Sequence, residues 1–301
     1  MDRDEITADV AARLVAGQFP QWAHLPVVPV EINGWDNTTF RLGDELSVRL
    51  PNSEAAAAQV RKEHRWLPFL AGRLPVPIPE PAAMGRPSED FPRPWSVYRW
   101  LPGETASADR VPDPVGFAVG LAGFLTALHG VDTSGGPPAG AHNFFRGAPL
   151  ATYDKQTRDL IRERAGDIDA DAATEVWDTA VASAWERAPV WLHGDFTGSN
   201  LLVDDGKLRA VIDFGGVAVG DPACDLVMEW VFFSGESAMA FRRGLPHLDE
   251  ATWARGRGWA LWKALLVMAE DNDPSRRFGW GPSPRQIVDI VIADHARTAG
   301  R

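Results

Sequence analysis

The first hundred residues of the chain alternate between apolar and polar positions in several short stretches, a pattern typical of antiparallel strands. In the clearest stretch, Leu46, Val48 and Leu50 fall on one face, and Arg49 falls on the other. Strands are predicted at residues 27–32, 38–42, 46–50 and 95–101. Helices are predicted at residues 7–16 and 54–66, the second with Ser53 as its N-cap. The first part of the chain is therefore predicted to be a sheet with two helices.

Beyond residue 113, apolar positions recur every three or four residues, which is the period of helices. Phe117, Leu121 and Leu125, for example, share one face. Helices are predicted at residues 113–129, 152–164 and 171–187 and over most of the chain from residue 222 on. A strand at 190–192 and a hairpin of 201–203 with 208–212 separate them. Pro102 and Gly103 end the last strand of the first part, so two lobes are predicted, residues 1–101 and residues 102–301.

The composition narrows the class of protein. The chain has 301 residues with 41 acidic and 30 basic side chains, which gives a formal net charge of −11. Proteins that bind nucleic-acid phosphates are usually basic, so a nucleic-acid partner is not expected. No apolar run approaches the ~18 residues of a membrane span, and residues 1–5 show no signal-peptide pattern. With Cys224 as its single cysteine, we expect a cytoplasmic protein without a membrane partner.

The densest chemical signal lies in residues 191–203, with the sequence WLHGDFTGSNLLV. It contains Asp195 and, five residues later, Asn200; Asp213 follows thirteen residues after that, at the end of the next apolar strand. Magnesium prefers oxygen ligands, so a carboxylate and an amide beside phosphates could hold it. An acceptor hydroxyl needs a carboxylate that orients it and takes its proton. Together the three side chains indicate phosphoryl transfer.

Residues 193–203 and 211–225 resemble the aminoglycoside phosphotransferase family of small-molecule kinases. The resemblance implies an α+β, two-lobed protein-kinase-like fold with an N-terminal antiparallel-sheet lobe and a larger, mostly helical C-terminal lobe. It also implies ATP or GTP as the phosphate donor and Mg²⁺ as the metal. By position, Asp195 would be the catalytic base, and Asn200 and Asp213 would be the magnesium ligands.

The resemblance runs from about residue 28 to residue 230 and assigns nucleotide-binding residues as well. Arg49 stands where the family usually has a lysine for the α and β phosphates, and Glu63 would pair with it. The other candidates lie in a hairpin similar to the family's nucleotide-covering hairpin and in a segment similar to its hinge. There, backbone groups would meet phosphate oxygens or the edge of a purine. These candidates are Gly34, Trp35 and Asn37 in the hairpin and Tyr98 and Trp100 in the hinge.

Two further residues, His193 and Asp225, are predicted to hold the catalytic loop in place and not to take part in the reaction. His193 begins the loop where the family places a structural residue, and Asp225 follows a short glycine-rich segment at 216–220. This segment leaves no room for the long activation segment with which protein kinases bind peptides. A small-molecule acceptor is therefore expected.

The acceptor is expected to be an aminoglycoside-type or other cationic antibiotic, because the resemblance and the acidic composition both favour an amine-bearing molecule. The candidate binding residues are carboxylates of the C-terminal lobe, namely Glu229, Glu270 and Asp271. A metabolic kinase acting on an amino alcohol, a choline-like alcohol or a sugar is the alternative enzyme. A non-catalytic nucleotide-binding protein of the same fold is the alternative outside enzymes, but it would be expected to lose one of the three motif side chains.

Overall fold

The computed structural model describes residues 3–31, 33–34, 36–269 and 281–299. The chain forms two compact units. The first, which we call the N-unit, comprises Met1–Gly72 and Pro77–Pro102; the second, the C-unit, comprises Arg73–Val76 and Gly103–Arg301. Among the described residues, no helix combines the length and the apolar character that crossing a membrane requires.

A five-stranded antiparallel sheet forms the centre of the N-unit, in the order β1-β2-β3-β5-β4. The strands are β1 (Val27–Pro29), β2 (Asn37–Leu42), β3 (Leu46–Pro51), β4 (Pro81–Gly85) and β5 (Trp95–Arg99). The helices are α1 (Ala8–Gln18) and α2 (Glu54–Ala71). The alternation of β3 explains its place in the sheet, because Val48 and Leu50 are fully buried while Arg49 between them stays partly exposed. Ser53 caps α2 by accepting a hydrogen bond from a backbone N–H, as predicted.

The sequence pattern does not predict strand β4. Its residues Pro81, Ala82 and Ala83 belong to types that are depleted in strands. The structure nevertheless pairs β4 with β5 at the edge of the sheet, where Gly85 lies opposite Trp95. A Cβ at this glycine would lie 1.9 Å from the indole ring. Packing of the tryptophan against a bare backbone therefore holds a strand that local propensity disfavours.

Helix α2 is longer than the predicted 54–66 and ends at Ala71, with Pro68 inside it. A proline in a helix interior removes one hydrogen bond and costs about 3 kcal/mol. Leu67 and Leu70 on the last turns are fully buried. Their burial offsets the cost of the proline and carries the helix past the predicted end.

The C-unit is mostly helical. Its described helices are α3 (Pro114–His129), α4 (Asp154–Glu163), α5 (Ala170–Val181), α6 (Met228–Val231), α7 (Gly235–Arg243), α8 (Glu250–Ala269) and α9 (Pro284–Ala299). One small sheet contains β6 (Glu104–Thr105), β8 (Leu201–Asp204) and β9 (Lys207–Val211), and the other pairs β7 (Val190–Leu192) with β10 (Ala218–Gly220). The predicted α+β architecture, an antiparallel-sheet lobe followed by a larger helical lobe, is confirmed.

The two small sheets position the loop that carries the phosphoryl-transfer motif. The loop begins at His193, directly after β7, and ends at Asn200, directly before β8. Strand β9 runs antiparallel to β8, and β10 then pairs with β7, with Ala218 opposite Leu192. The chain therefore returns, just after Asp213, to the strand from which the motif loop starts.

Buried ion pairs tie helix α8 to its surroundings. The Arg255 guanidinium lies 2.7 Å from a carboxylate oxygen of Asp221, and that of Arg257 lies 2.8 Å from Asp294. All four residues are buried. Because a buried charge without a partner is strongly destabilising, each arginine depends on its carboxylate.

At the C-terminal end of α3, the buried His129 contacts the half-buried His247. Nδ1 of His129 lies 2.9 Å from Nε2 of His247, and the His129 side chain is 9% exposed. Burial, together with the charges of His247 and Arg187, lowers the pKa of His129 to about 3. In the unfolded chain a histidine titrates near 6.5. The unfolded state therefore binds this proton first, and the free energy of unfolding falls as the pH decreases below about 6.5.

We expect the replacement His129→Phe to weaken this acid sensitivity. Between pH 7.5 and pH 5, protonation of His129 in the unfolded state removes about 2 kcal/mol from the free energy of unfolding. Urea unfolding at the two pH values measures the loss in wild type and variant. The matched control is His24→Phe, at an exposed position. An equal loss of stability in wild type and His129→Phe would contradict the assignment.

Candidate active site

A buried carboxylate, that of Asp225, anchors the motif loop. The backbone N–H of His193 donates to Oδ2 of Asp225 at 2.6 Å, and that of Gly194 donates to Oδ1 at 2.8 Å. Nδ1 of His193 accepts from the backbone N–H of Asp195, so the proton lies on Nε2, which donates to the Ile212 carbonyl at 2.9 Å. Both side chains thus hold the loop in place, the part that sequence analysis predicts for them.

Gly194 lets two loops meet. Its φ of +89° lies in the left-handed region, which favours glycine. A Cβ at this position would lie 2.4 Å from the carbonyl oxygen of Gly216. The close approach brings the segment after Asp213 against the start of the motif loop.

Asp195 and Asn200 are in direct contact within this loop. Nδ2 of Asn200 donates to the backbone carbonyl of Asp195 at 2.8 Å and to its Oδ2 at 3.2 Å. Asn200 is 7% exposed, whereas the Asp195 side chain is 44% exposed. The two donated bonds fix the amide plane of Asn200, so its oxygen is the atom turned away from Asp195.

Asp213 lies next to Asn200 because of the pairing of β8 with β9. Leu201 stands opposite Val211, and the backbone N–H of Ile212 donates to the Asn200 carbonyl at 2.8 Å. Asp213 follows with φ +64° and ψ +66°, a left-handed conformation uncommon outside glycine. Asn200 and Asp213 carry an amide oxygen and a carboxylate, the types of donor that suit Mg²⁺, which binds few protein ligands and keeps waters. In the part of the chain that the structure describes, three or more His, Cys, Asp or Glu side chains never gather as a metal cluster.

The N-unit brings together Arg49 and Glu63. A guanidinium nitrogen of Arg49 lies 3.6 Å from Oε1 of Glu63, and the Tyr98 hydroxyl donates to Oε2 of the same carboxylate at 2.5 Å. Glu63 is 4% exposed. Burial and the neighbouring Glu63 raise the pKa of Tyr98, so the phenol stays a donor. Tyrosine and arginine thus hold the glutamate from two sides.

The family follows from the comparison with known proteins. The family model described as "Phosphotransferase enzyme family" (APH) matches residues 28–259, most of the chain. The chain belongs to this family. The prediction of a phosphotransferase related to the small-molecule kinases is thereby confirmed. No curated protein matches the chain significantly.

Solved structures of other phosphotransferases share the fold. The GDP and kanamycin complex of APH(2")-IIia is 19% identical, with a TM-score of 0.72 over 95% of this chain and 98% of that chain. The gentamicin complex of APH(2")-IIa is 18% identical, with a TM-score of 0.61 over 95% and 96%. The macrolide 2'-phosphotransferase MphH from Brachybacterium faecium, an apoenzyme, is 20% identical, with a TM-score of 0.58 over 94% and 98%. These likenesses confirm the two-lobed, kinase-like fold.

Sequence analysis misses one lysine of this phosphotransferase, Lys263, which contacts the motif residue Asp195. Nζ of Lys263, in α8, lies 2.5 Å from Oδ1 of Asp195. Burial raises the pKa of Asp195, but the Lys263 ammonium, with a smaller effect of the Arg146 guanidinium, outweighs burial, and the pKa falls to about 2. A sequence signal exists, because Lys263 is the one charged residue in the apolar stretch 259–269. Without the fold, nothing connects that stretch to the motif.

Arg146 is the second residue that the sequence does not reveal. Its Nε donates to the carbonyl of Gly194 at 3.2 Å, and another nitrogen donates to the Tyr153 hydroxyl. The guanidinium lies 4.6 Å from the ring centroid of Trp262. Arg146 comes from a loop without helical or strand periodicity, so the pattern gives no reason to select it. It fixes the motif loop against an aromatic wall.

The structure corrects the two hinge candidates. Tyr98 lies inside the sheet, with Ser47 of β3 on one side and Pro81 of β4 on the other, and its side chain is buried against Glu63. The backbone N–H of Trp100 donates to the Glu45 carbonyl at 2.8 Å. These groups are used within the N-unit, so neither offers a backbone donor to a purine edge.

The hairpin candidates are only partly described. Trp35 lies outside the described residues. Gly34 does not have a positive φ, and a Cβ there would meet open space, so its position does not require glycine. Asn37 is buried at the start of β2, opposite Pro51. The phosphate-covering role of this hairpin stays a prediction.

The structure also changes the interpretation of the predicted acceptor-binding residues. Both carboxylate oxygens of Glu229 accept hydrogen bonds from Arg242, the shortest at 2.7 Å. Burial raises the pKa of Glu229 to about 7, although Arg242 opposes the shift. The residue is 8% exposed. Glu229 therefore belongs to the packing of the C-unit and is not an acceptor ligand; Glu270 and Asp271 lie outside the described residues.

Proposed function

We propose that the chain transfers the γ-phosphate of ATP or GTP to a hydroxyl group of a small molecule. The observation that carries this proposal is the setting of Asp195. Its carboxylate is partly exposed, its loop is pinned by Asp225, and one of its oxygens contacts Asn200. A carboxylate that is exposed to a substrate and held on a rigid loop is what orientation of a hydroxyl requires.

In the proposed reaction, the acceptor hydroxyl donates a hydrogen bond to Asp195. The bond between the γ-phosphorus and the nucleotide breaks as the acceptor oxygen forms its bond to phosphorus, and the hydroxyl proton passes to Asp195. In the structure, the contact with Lys263 lowers the pKa of this carboxylate to about 2, so it is ionised and ready to accept the hydrogen bond of the hydroxyl. In a loose transition state the hydroxyl proton leaves late, so the positioning of the hydroxyl matters most. Asn200 and Asp213 would hold Mg²⁺, which when bound would neutralise charge on the phosphates.

For the nucleotide, the N-unit offers Arg49. The guanidinium faces away from the buried side of β3 and is aligned by Glu63, which Tyr98 in turn fixes. Arginine can bind two phosphate oxygens at once through its planar fork. We propose that Arg49 binds the α and β phosphates at the position where relatives usually have lysine.

We expect Arg49→Ala to raise the KM for nucleotide about 10-fold or more, since a hydrogen bond to a charged group contributes about 1.5–3 kcal/mol. The KM for the acceptor should change little. Steady-state kinetics with each substrate varied in turn makes the comparison. Arg99→Ala, at an exposed position of β5 in the same sheet, is the matched control. A nucleotide KM equal to that of the wild type would remove Arg49 from the phosphate site.

For the acceptor, we propose an aminoglycoside-type or other cationic antibiotic. The net charge of −11 favours such a molecule, and kanamycin and gentamicin are bound by phosphotransferases of the same fold. The similarity to macrolide phosphotransferases adds that class as a second candidate.

A nucleotide-release assay tests the proposal. Purified protein with Mg²⁺ and either ATP or GTP is incubated with aminoglycosides, cationic peptide antibiotics, macrolides, amino alcohols and sugars. Release of ADP or GDP that one class stimulates and that Asp195→Ala abolishes would support the transferase and name its acceptor class. Nucleotide binding without stimulated release by any class would favour the non-catalytic alternative, and absence of nucleotide binding would contradict both.

A further inference from the structure

Lys263 occupies a place in the C-unit where a charge is costly. It lies in α8 between residues that pack in the core, with Leu261 and Leu265 fully buried. Its own side chain is 20% exposed. Placing an ammonium there is unfavourable unless the charge is used. The structure directs it to Asp195, the one motif residue that the proposed reaction requires at the acceptor oxygen.

The two oxygens of the Asp195 carboxylate contact different partners. Oδ1 lies 2.5 Å from Nζ of Lys263, and Oδ2 accepts from Asn200 at 3.2 Å. The Asp195 side chain nevertheless remains 44% exposed. An incoming hydroxyl can therefore reach the carboxylate while the ammonium stays within a few ångströms of it.

The reaction needs a positive charge at this point. Phosphoryl transfer spreads negative charge over the oxygens of the transferred group, and a cation beside them accelerates it. The motif loop, residues 193–200, contains no lysine and no arginine, while Asp195 and Asp213 are both acidic. The loop itself thus provides no cation.

Lys263 is within reach of the transferred group. A hydroxyl oxygen bound to Asp195 would lie about 2.7 Å from the carboxylate, and the phosphorus of an in-line donor about 3 Å further on. Nζ already lies 2.5 Å from the same carboxylate. The flexible four-carbon stem of a lysine can cover the remaining distance, and its ammonium offers three donors.

Arg146 does not provide the same chemistry. Its nitrogens donate to the Gly194 carbonyl and the Tyr153 hydroxyl, and its plane lies near Trp262. These contacts fix it as part of the scaffold of the loop. Of these two cations near Asp195, Lys263 is the one on a side chain that can turn toward a substrate.

We propose that Lys263 is a catalytic residue whose ammonium moves from Asp195 to the oxygens of the transferred phosphoryl group in the transition state. When the acceptor hydroxyl binds, Asp195 exchanges its bond to the ammonium for the bond to the hydroxyl. The ammonium then stabilises the negative charge that develops at phosphorus and returns to Asp195 after product release. The inference rests on the proposed function, because it needs a phosphoryl group at Asp195.

The test compares Lys263→Met with Lys155→Met. Lys155 is also a helical lysine bound to an aspartate, Asp159 at 2.6 Å, but it is 91% exposed and remote in sequence from the motif. We expect Lys263→Met to lower kcat about 10²–10³-fold, with unchanged affinity for ADP and an unchanged melting temperature. Lys155→Met should leave kcat unchanged.

A binding measurement tests the role of Lys263 without relying on turnover. Aluminium fluoride added to the ADP complex with Mg²⁺ imitates the transferred phosphoryl group, and we expect it to tighten ADP binding by wild type and by Lys155→Met but not by Lys263→Met. Should Lys263→Met fail to fold, Lys263→Gln carries the same test, since it keeps a hydrogen-bond donor for Asp195 and loses only the charge.

The outcomes separate the two proposals. A Lys263→Met variant with the kcat of the wild type or a higher one would overturn the catalytic role and leave the phosphotransferase intact. Parallel losses of kcat, ADP affinity and melting temperature would overturn it in favour of a structural role. A wild type that neither turns over any acceptor nor binds ADP more tightly with aluminium fluoride would overturn the proposed function itself.

Discussion

Replacing Asp195 with alanine should lower kcat by about 10³-fold or more, because the acceptor hydroxyl then loses the group that orients it and takes its proton. Affinity for the nucleotide should change little, since the proposed phosphate and metal contacts come from Arg49, Asn200 and Asp213. Steady-state kinetics with an acceptor identified by nucleotide release measures the first quantity, and calorimetric titration with ADP and Mg²⁺ measures the second.

Two further variants show whether the loss of kcat comes from the carboxylate charge of Asp195. Asp195→Asn has nearly the same shape as the native side chain and can still contact Asn200, so a comparable loss of kcat would assign the effect to the carboxylate charge. Asp204→Ala removes an exposed carboxylate from the end of β8, a few residues beyond the motif, and should leave kcat unchanged. Turnover by Asp195→Ala near that of the wild type would place the acceptor site elsewhere.

Breaking the buried pair of Asp221 and Arg255 should give the largest loss of stability. Asp221 accepts two hydrogen bonds from Arg255, at 2.7 and 3.3 Å, and one from the backbone N–H of Ala223. The exposed fractions are 5% for the aspartate and 2% for the arginine. We expect Asp221→Ala to lower the free energy of unfolding of the C-unit by about 3–5 kcal/mol, because it leaves a guanidinium buried without its carboxylate.

A double-mutant cycle separates this pair from simple loss of packing. Combining Asp221→Ala with Arg255→Met removes both charges, so the double variant should be less destabilised than the sum of the two single variants. Lys155→Ala, which breaks an exposed pair on α4, should change stability little. Urea unfolding followed by tryptophan fluorescence provides the values. Strict additivity of the two single effects would mean that the ion pair is not what stabilises this region.

Local patterns predict most of the elements of the fold. Alternation over residues 46–50 predicts β3, and the capping side chain of Ser53 predicts the start of α2. The strand at 190–192 is predicted with its observed bounds. These elements have in common that their own residues carry the signal. Strand β4 and the last turns of α2 depend instead on packing against other elements, as Gly85 of β4 packs against Trp95 of β5.

The residues of the candidate site can be divided in the same way, into those that the local sequence reveals and those that only the fold reveals. Asp195, Asn200 and Asp213 are recognisable because one short loop and one hairpin carry them. The structure puts Asn200 in contact with Asp195, and the pairing of β8 with β9 places the backbone of Asp213 near Asn200. Lys263 reaches Asp195 from 68 residues further along the chain, so only the packing of α8 reveals it. Glu229 shows the converse: its charge is visible in the sequence, but its burial against Arg242 is not.

Phosphoryl transfer by this chain is tested most directly by identifying the phosphorylated product. The best acceptor from the nucleotide-release assay is incubated with ATP or GTP, and the products are analysed by mass spectrometry and phosphorus NMR. We expect a phosphate ester on an acceptor hydroxyl, formed in equal amount to the nucleoside diphosphate and absent with Asp195→Ala. Inorganic phosphate as the sole product, with the acceptor unmodified, would contradict it.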